Sequence, residues 1–338
     1  MMATHGAVRG RVRLVAAALL CCLVASACSG GGRHNDARRT QTPPSPSVAG
    51  SCGPLTIAYD PGSGYEASAF IVGSLAKTQL GCDVQYVRTT SRDAWNLVAQ
   101  GDADVYLDAY GNKDLRHQLA GPDGPVTVVG PNGIPGGVDL LAPQFMGDDG
   151  LDTATDLPDV QRIGWGTTTP AITTVPQLVR LAQSFVEFEQ LDYVVRNTLE
   201  ISQESGMRYL LPQPAVDNQR HQPNVYLAAA PLALLGDAPG RVSVPMPNSA
   251  ATGCRPSAVT TLCSLRDFPY EKIVNHTFAT SGSPAYTLVY NYLLRPQDVG
   301  TVEEIVKLSG YNVGPADVTS WLNTHQEAWR RWLPHSTS

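Results

Sequence analysis

Two aromatic residues stand where an α/β chain does its chemistry. Tyr110 ends the run Gly101-Asp102-Ala103-Asp104-Val105-Tyr106-Leu107-Asp108-Ala109-Tyr110. Asp104 to Asp108 alternates as a strand does, so Tyr110 falls just past a strand's carboxyl end. Open α/β sheets bind ligands at that end, which makes Tyr110 a candidate ligand contact. Trp165 sits in Ile163-Gly164-Trp165-Gly166-Thr167. Glycines on both sides let a backbone come close to a bound group, and the amides of Gly166 and Thr167 could meet an anion. Each position has a packing alternative: a Tyr under a loop, and a Trp in a strained turn.

Cysteine is the other chemistry-bearing residue. Arg9, Arg11 and Arg13 precede the apolar run Leu14 to Ala27, which is too short to span a bilayer as a mature helix. It ends Ala25-Ser26-Ala27-Cys28, which resembles a bacterial lipobox with Ala25 at the place most often held by Leu. Residues 1–27 are therefore read as a signal peptide and Cys28 as a lipidated, palmitate-type anchor, with ordinary secretion as the alternative. Several acyl chains give firmer anchoring than one. Ser29 to Gly50 is Gly, Ser, Thr, Pro and Arg with almost nothing apolar, so residues 28–52 read as a flexible tether.

Cys21 and Cys22 lie in the removed segment. That leaves Cys52, Cys82, Cys254 and Cys263, an even number in an exported chain, which implies two disulfides. Three pairings exist; Cys52–Cys82 with Cys254–Cys263 is preferred. Cys52 precedes the strand Leu55 to Tyr59 and Cys82 precedes the strand Asp83 to Val87. In a right-handed βαβ unit both strands start at the same sheet edge, about 4.8 Å apart, within disulfide reach. Such a loop adds about 3 kcal/mol. The absence of CxxC spacing argues against zinc.

Composition narrows the rest. The chain has 338 residues, 43% of them apolar, and a net charge of −6. That is room for one large or two medium domains, and it disfavours nucleic acid as a partner. There is no GxSxG, HExxH, Walker loop or GxGxxG. His117, His221, His276 and His325 have no metal-ligand spacing. The expectation is a chain that is no enzyme and carries no metal or cofactor.

Short joints link the elements that must hold the two rings. A strand (Leu55 to Tyr59), a turn at Asp60 to Gly64, a helix (Tyr65 to Leu80), a strand (Asp83 to Val87) and a helix (Arg92 to Gln100, capped by Ser91 and stopped by Gly101) lead to Tyr110. That order predicts a parallel sheet. Lys113 to Leu119 reads as a short helix, Gly130 to Gly133 as a turn, and Val138 to Pro143 as a segment leaving the first lobe. A strand ends at Trp165, a helix begins near Pro176, another covers Glu204 to Leu211, and Asn224 to Pro231 and Val242 to Pro245 are strands. Cys254 to Cys263 is a stapled loop. Ser264 onward is expected to be mostly helical. Val318, Trp321, Leu322, His325, Trp329, Trp332 and Leu333 fall on one face, more in keeping with core than with a ligand cage.

Taken together, Gly101-Asp102-Ala103-Asp104 with the ring at 110, Gly164-Trp165-Gly166, the strand end at Pro231 and the tail Val318 to Trp332 resemble the substrate-binding proteins of ABC importers for glycine betaine and proline betaine. The resemblance implies an α/β fold of the two-lobed periplasmic-binding-protein type, each lobe a mostly parallel sheet flanked by helices. Lobe 1 is then 53–145 with 249–338, and lobe 2 is 146–248. It implies an osmoprotectant receptor, lipid-anchored at the extracytoplasmic face of the cell membrane, that delivers a quaternary ammonium or zwitterionic solute to a membrane permease. Trimethylammonium offers no hydrogen-bond donor, so the family holds it among three aromatic faces, each worth about 0.5–2 kcal/mol. Carried over, Tyr110 stands for the first ring and Trp165 for the second, while Gly166 and Thr167 give amides to a carboxylate. The third ring's place is Ala229. Tyr65 is the candidate substitute, and Asp114 falls near a position where the family has His. An incomplete box implies weaker betaine binding by roughly 1–2 kcal/mol, a different solute such as carnitine or choline, or a degenerate clamp acting as a sensor or interaction protein.

Overall fold

A computed structural model describes residues 43–45, 51–61, 66–161, 169–198, 207–245, 268–310 and 312–334. Residues 40–338 form one unit; residues 1–39 form another, of which none is among the described residues. The expectations for the signal peptide, Cys28, Tyr65, Trp165, Gly166, Thr167, Cys254 and Cys263 lie outside the described residues.

Nine strands make one sheet: β1 Pro54–Tyr59, β2 Asp83–Arg88, β3 Val105–Ala109, β4 Val126–Pro143, β5 Ala171–Thr174, β6 Val194–Asn197, β7 Val225–Pro231, β8 Arg241–Val244 and β9 Phe268–Asn275. Their order is β2-β1-β3-β9-β4-β7-β5-β6, with β8 paired to β4. Two parallel trios stand at the ends, β2-β1-β3 and β7-β5-β6. Between them β9 and β4 run antiparallel to each other and to the trio beside each. This is the expected α/β fold with two lobes, each built on a mostly parallel sheet. The two sheets are continuous through the crossing strands.

In the first trio, the helices Ala67–Leu80 and Ser91–Gln100 join β1 to its neighbour β2 and carry the chain from β2 across β1 to β3, the crossovers that parallel strands need. Both end on left-handed glycines, Gly81 and Gly101, where no Cβ opposes the turn. Thr90 rather than Ser91 caps the second helix, accepting from the Asp93 amide; Ser91 is its first residue. Cys52 and Cys82 are bonded, with Cα atoms 4.9 Å apart, because Pro54 and Asp83 start β1 and β2 in register.

Burial alternates along the inner strands. Val105 and Leu107 of β3 enter the largest core, which also takes Tyr226, Ala228 and Ala230 of β7. Tyr106 and Ala109 face a second core with Trp95 and Ile273. Val225, Leu227 and Ala229 face a third with Val138, Ile172 and Phe185. Val318, Trp321, Trp329 and Trp332 belong to the largest core, the packing role expected of them.

Two expectations need correction, and two neighbouring ones are placed more closely. The Gly130–Gly133 turn lies inside β4, whose ladder to β9 shifts register between Val128 and Gly130 and again between Pro131 and Pro135. Glycine and proline here make bulges in a crossing strand instead of reversing the chain. The region after Ser264 contains β9, which is covered on both faces and so lacks the alternation that marks a half-exposed strand. Leu157–Gln161 is helical; the strand expected to end at Trp165 lies outside the described residues, and β5 follows at Ala171–Thr174. Within the helix expected over 204–211, the described residues Met207–Leu210 are helical, and a further helix, Gln213–Arg220, follows.

Candidate functional site

The β3 tip is held from three directions. Asn132, on the crossing strand β4, donates from Nδ2 to the Leu107 carbonyl at 2.9 Å and to Asp108 Oδ1 at 3.0 Å. Its Oδ1 accepts from the Ile134 amide at 2.9 Å. Its neighbour Gly133 has φ +96°, and a Cβ there would run into the Leu294 carbonyl. Past the strand, Gly111 and Asn112 are both left-handed, and Asn112 Nδ2 donates to Ser91 Oγ and back to the Tyr110 carbonyl. Two such residues in a row turn the chain sharply and fix where Tyr110 stands.

The Tyr110 ring meets Tyr270 of β9 with centroids 5.2 Å apart and planes tilted by 59°. Such tilted pairs are favourable beyond their buried area. Tyr270 is fully buried, and Tyr110 is partly buried, packing against both the largest core and the core of the second lobe. A side chain from the first lobe thus touches apolar residues of both.

The charged groups among the described residues that act on these two hydroxyls are acids. Asp60, the first residue after β1, accepts from the Ser91 amide at 2.7 Å and so sits at the start of the helix Ser91–Gln100, where the dipole favours an anion. Burial, then Asp60, raises the Tyr110 hydroxyl above its ordinary range. Burial also raises Tyr270, with Tyr110, Asp108 and Asp60 pushing the same way. Asp108 is buried, and burial lifts its carboxyl well above the usual range; Glu66 and Asp60 add to the lift, while hydrogen bonds from Ser68 and Asn132 oppose it. Carboxylates this close cannot all ionise cheaply.

Tyr110 is therefore the one expected ligand residue that the described structure places. Tyr65, Trp165, Gly166 and Thr167 lie outside the described residues. Ala229 is buried in the second lobe's core and pairs with Val138 on β4. Asp114 does not supply the acid near the ring: it is exposed and bonded to Arg92 at 2.8 Å. Asp60 does, and Asp108 acts with it on the neighbouring Tyr270. The sequence signal for Asp60 was its place directly after a strand, read only as the start of a turn. Tyr270 was hidden by the missed strand.

A separate apolar groove of about 600 Å³ lies where the strands cross, lined among others by Pro131, Ile134, Pro135, Leu232 and Val299. None of the described residues that line it is aromatic, so these offer a quaternary amine no ring face.

Residues 53–198 match the family described as the substrate binding domain of the ABC-type glycine betaine transport system. Over those residues the chain is similar to a substrate-binding domain of that transport system. No curated protein sequence matches the chain. Among solved structures it is similar to lactococcal OpuAC, closed and complexed with glycine betaine: TM-score 0.61, 15% identity, covering 83% of this chain and 100% of that one. An ABC-transporter choline-binding protein in complex with choline gives 0.61 and 15%, covering 83% and 92%. The glycine betaine/L-proline-binding protein ProX of Borrelia burgdorferi gives 0.61 and 10%, covering 83% and 97%. At such identities these likenesses establish the fold. Both lobes are included, which the family match, ending in β5-β6, is not long enough to do.

Proposed function

We propose that this chain is the extracytoplasmic receptor of an ABC importer, that it captures a small quaternary ammonium solute between its lobes, and that a cation such as choline suits it better than a zwitterion such as glycine betaine. The observation that carries the cation preference is the setting of Tyr110. A ring face stands at the carboxyl edge of the first trio, braced by Tyr270, and the charged groups acting on both rings are carboxylates. An aromatic face attracts a quaternary cation. An acidic surround strengthens that attraction and repels a ligand carboxylate.

In this reading Tyr110 contacts the solute, with Trp165 as the facing ring, Tyr65 as the third, and Gly166 and Thr167 as backbone donors to its polar end. Lobe 1 comprises 53–145 and 249–338 and lobe 2 comprises 146–248, hinged on β4 and β9. A signal peptide of residues 1–27 and lipidation of Cys28 hold the receptor at the outer face of the membrane, beside its permease. Cys254–Cys263 forms the second disulfide. Domain closure on a ligand is how clamps of this kind work.

Titration calorimetry of the purified chain against choline, glycine betaine, carnitine and proline tests this. The expected order is choline tightest, with the gap to glycine betaine narrowing in Asp60→Asn. Tighter binding of glycine betaine overturns the cation preference and leaves the transport reading standing. No heat from any of them at millimolar concentration overturns both. The third ring's place at Ala229, a core position, favours a second reading, a degenerate clamp used as a sensor or interaction protein; unchanged tryptophan fluorescence across the same solutes supports it.

A further inference from the structure

A proline-rich stretch outside both lobes' cores touches the protein at one defined point. Pro43-Pro44-Ser45 lies upstream of β1, and the Pro44 carbonyl accepts a hydrogen bond from the Tyr286 hydroxyl at 2.7 Å. Tyr286 stands near the start of the helix Pro284–Asn291, which packs against the helix Ala67–Leu80 and the turn Arg330–Trp332. It is 1% exposed. Its ring is flanked by Phe278, edge-on at 5.9 Å, and by Tyr290 at 6.0 Å, so three aromatic residues form a continuous row. Burial, helped by Tyr290, pushes the Tyr286 hydroxyl up to about 12, which keeps it a donor at neutral pH.

The chemistry of the two sides matches. A Pro-Pro pair is preformed in an extended left-handed helix, with its carbonyls unpaired and outward, and loses little entropy on docking. Aromatic-lined surfaces with a hydroxyl donor are how such segments are recognised. Beside the Tyr286 end of this helix lies a polar groove of about 560 Å³, lined among others by Ser51, Asp104, Asn275, Ser281 and Ser283. Ser51 and Pro44 thus come to the same end of one helix. Asp104 precedes β3 and Asn275 ends the antiparallel β9, so the groove lies at the amino edge of the first trio. Tyr110 is at the opposite, carboxyl edge.

We propose that the linker is not free up to β1: its Pro43–Ser45 segment docks on the aromatic row of Tyr286, and the chain leaves the protein from that point of the first lobe. Whatever holds the chain upstream therefore pulls on lobe 1 at the edge away from Tyr110. Lobe 2 carries no attachment and swings against a held partner. With an anchor at Cys28, the docked segment puts the protein's attachment point at Pro43 in place of the start of β1.

Amide hydrogen exchange on the full chain tests this, comparing a peptide covering 40–51 with the same peptide free in solution. Within the protein it is expected to exchange slower by about tenfold or more. Tyr286→Phe keeps the ring and removes only the donor; Pro43→Ser with Pro44→Ser keeps the donor and removes the preformed helix. Each is expected to bring the rate most of the way to that of the free peptide, with the helix Ala67–Leu80 still protected. If Tyr286→Phe also loosens that helix, the proline pair decides. A wild-type rate equal to the free peptide's, or protection that survives the proline pair, overturns the proposal.

Discussion

The two parallel trios are built alike and end differently. In the first, β3 lies between the central β1 and the crossing strand β9; in the second, β7 lies between the central β5 and the crossing strand β4. The strands correspond in place, yet their carboxyl ends do not correspond in chemistry. β3 ends in Asp108-Ala109 and delivers Tyr110, with Asp60 beside it at the end of β1 and Asn132 tying the tip to the crossing strand. β7 ends in Ala228-Ala229-Ala230-Pro231, every residue buried, and β5 ends in Thr173-Thr174, the latter donating from its hydroxyl to the Leu227 carbonyl. Among the described residues, recognition chemistry is gathered on one lobe, while the other presents small side chains that satisfy themselves. In the clamp proposed above, the first lobe is then the selecting half among the described residues, and the second closes on it with the proposed ring of Trp165.

That division can be broken at Ala229, where a complete box would carry a ring. If the position is core, Ala229→Phe overpacks against Val138 and Leu227 and costs about 1–3 kcal/mol of stability, read as a lower denaturant midpoint, with no gain in solute affinity. Tighter binding of choline or glycine betaine by the variant would mean that β7 does face the cleft, and the comparison would fail. The opposite substitution on the selecting lobe is expected to act on binding. Tyr110→Ala should weaken choline by about tenfold, as loss of one ring face worth 0.5–2 kcal/mol requires. Calorimetry reads it directly, and an unchanged dissociation constant would move recognition away from β3.

The selecting lobe was the more legible one in the sequence. From Leu55 to Tyr110 the apolar spacing, the stop glycines and the cysteine positions all agree, and local agreement of this kind is what fixes a fold. The crossing region was misread for a physical reason. Gly130-Pro131-Asn132-Gly133 has the composition of a turn, but β4 needs such residues to bulge while passing between lobes, and only the long-range partner β9 distinguishes the two uses. β9 itself carries Tyr270, Lys272, Ile273 and Val274, all buried. Lys272 resolves its burial by donating to the Tyr290 and Tyr292 carbonyls at 2.8 and 2.6 Å, an arrangement no neighbour in sequence announces. Asp60 and Asp114 exchanged roles for the same kind of reason: the ion pair with Arg92 and the bond from the Ser91 amide depend on which helix face meets which strand end.

The acid beneath the ring gives a finer test of the same division, because it makes the selecting lobe carry a cost that the closing lobe avoids. An aspartate in an unfolded chain titrates near 3.9, and burial in the folded protein raises Asp108 well above that. The folded state then holds the proton more tightly than the unfolded one. Its contribution to stability is fully present below about pH 4 and is lost as pH rises through the folded-state value. Asp108→Asn keeps an oxygen for Asn132 to donate to and removes the titrating group. The variant is expected to be more stable than the wild type at pH 7–8 by about 1 kcal/mol, or roughly 2–4 °C in Tm for a large domain, with the gain shrinking to nothing near pH 4. Melting curves across that range decide it. A loss of stability at pH 7–8 that disappears in acid would show the carboxylate to be charged and stabilised by its hydrogen bonds, and the acidic surround of Tyr110 would then carry one more full negative charge toward an incoming cation.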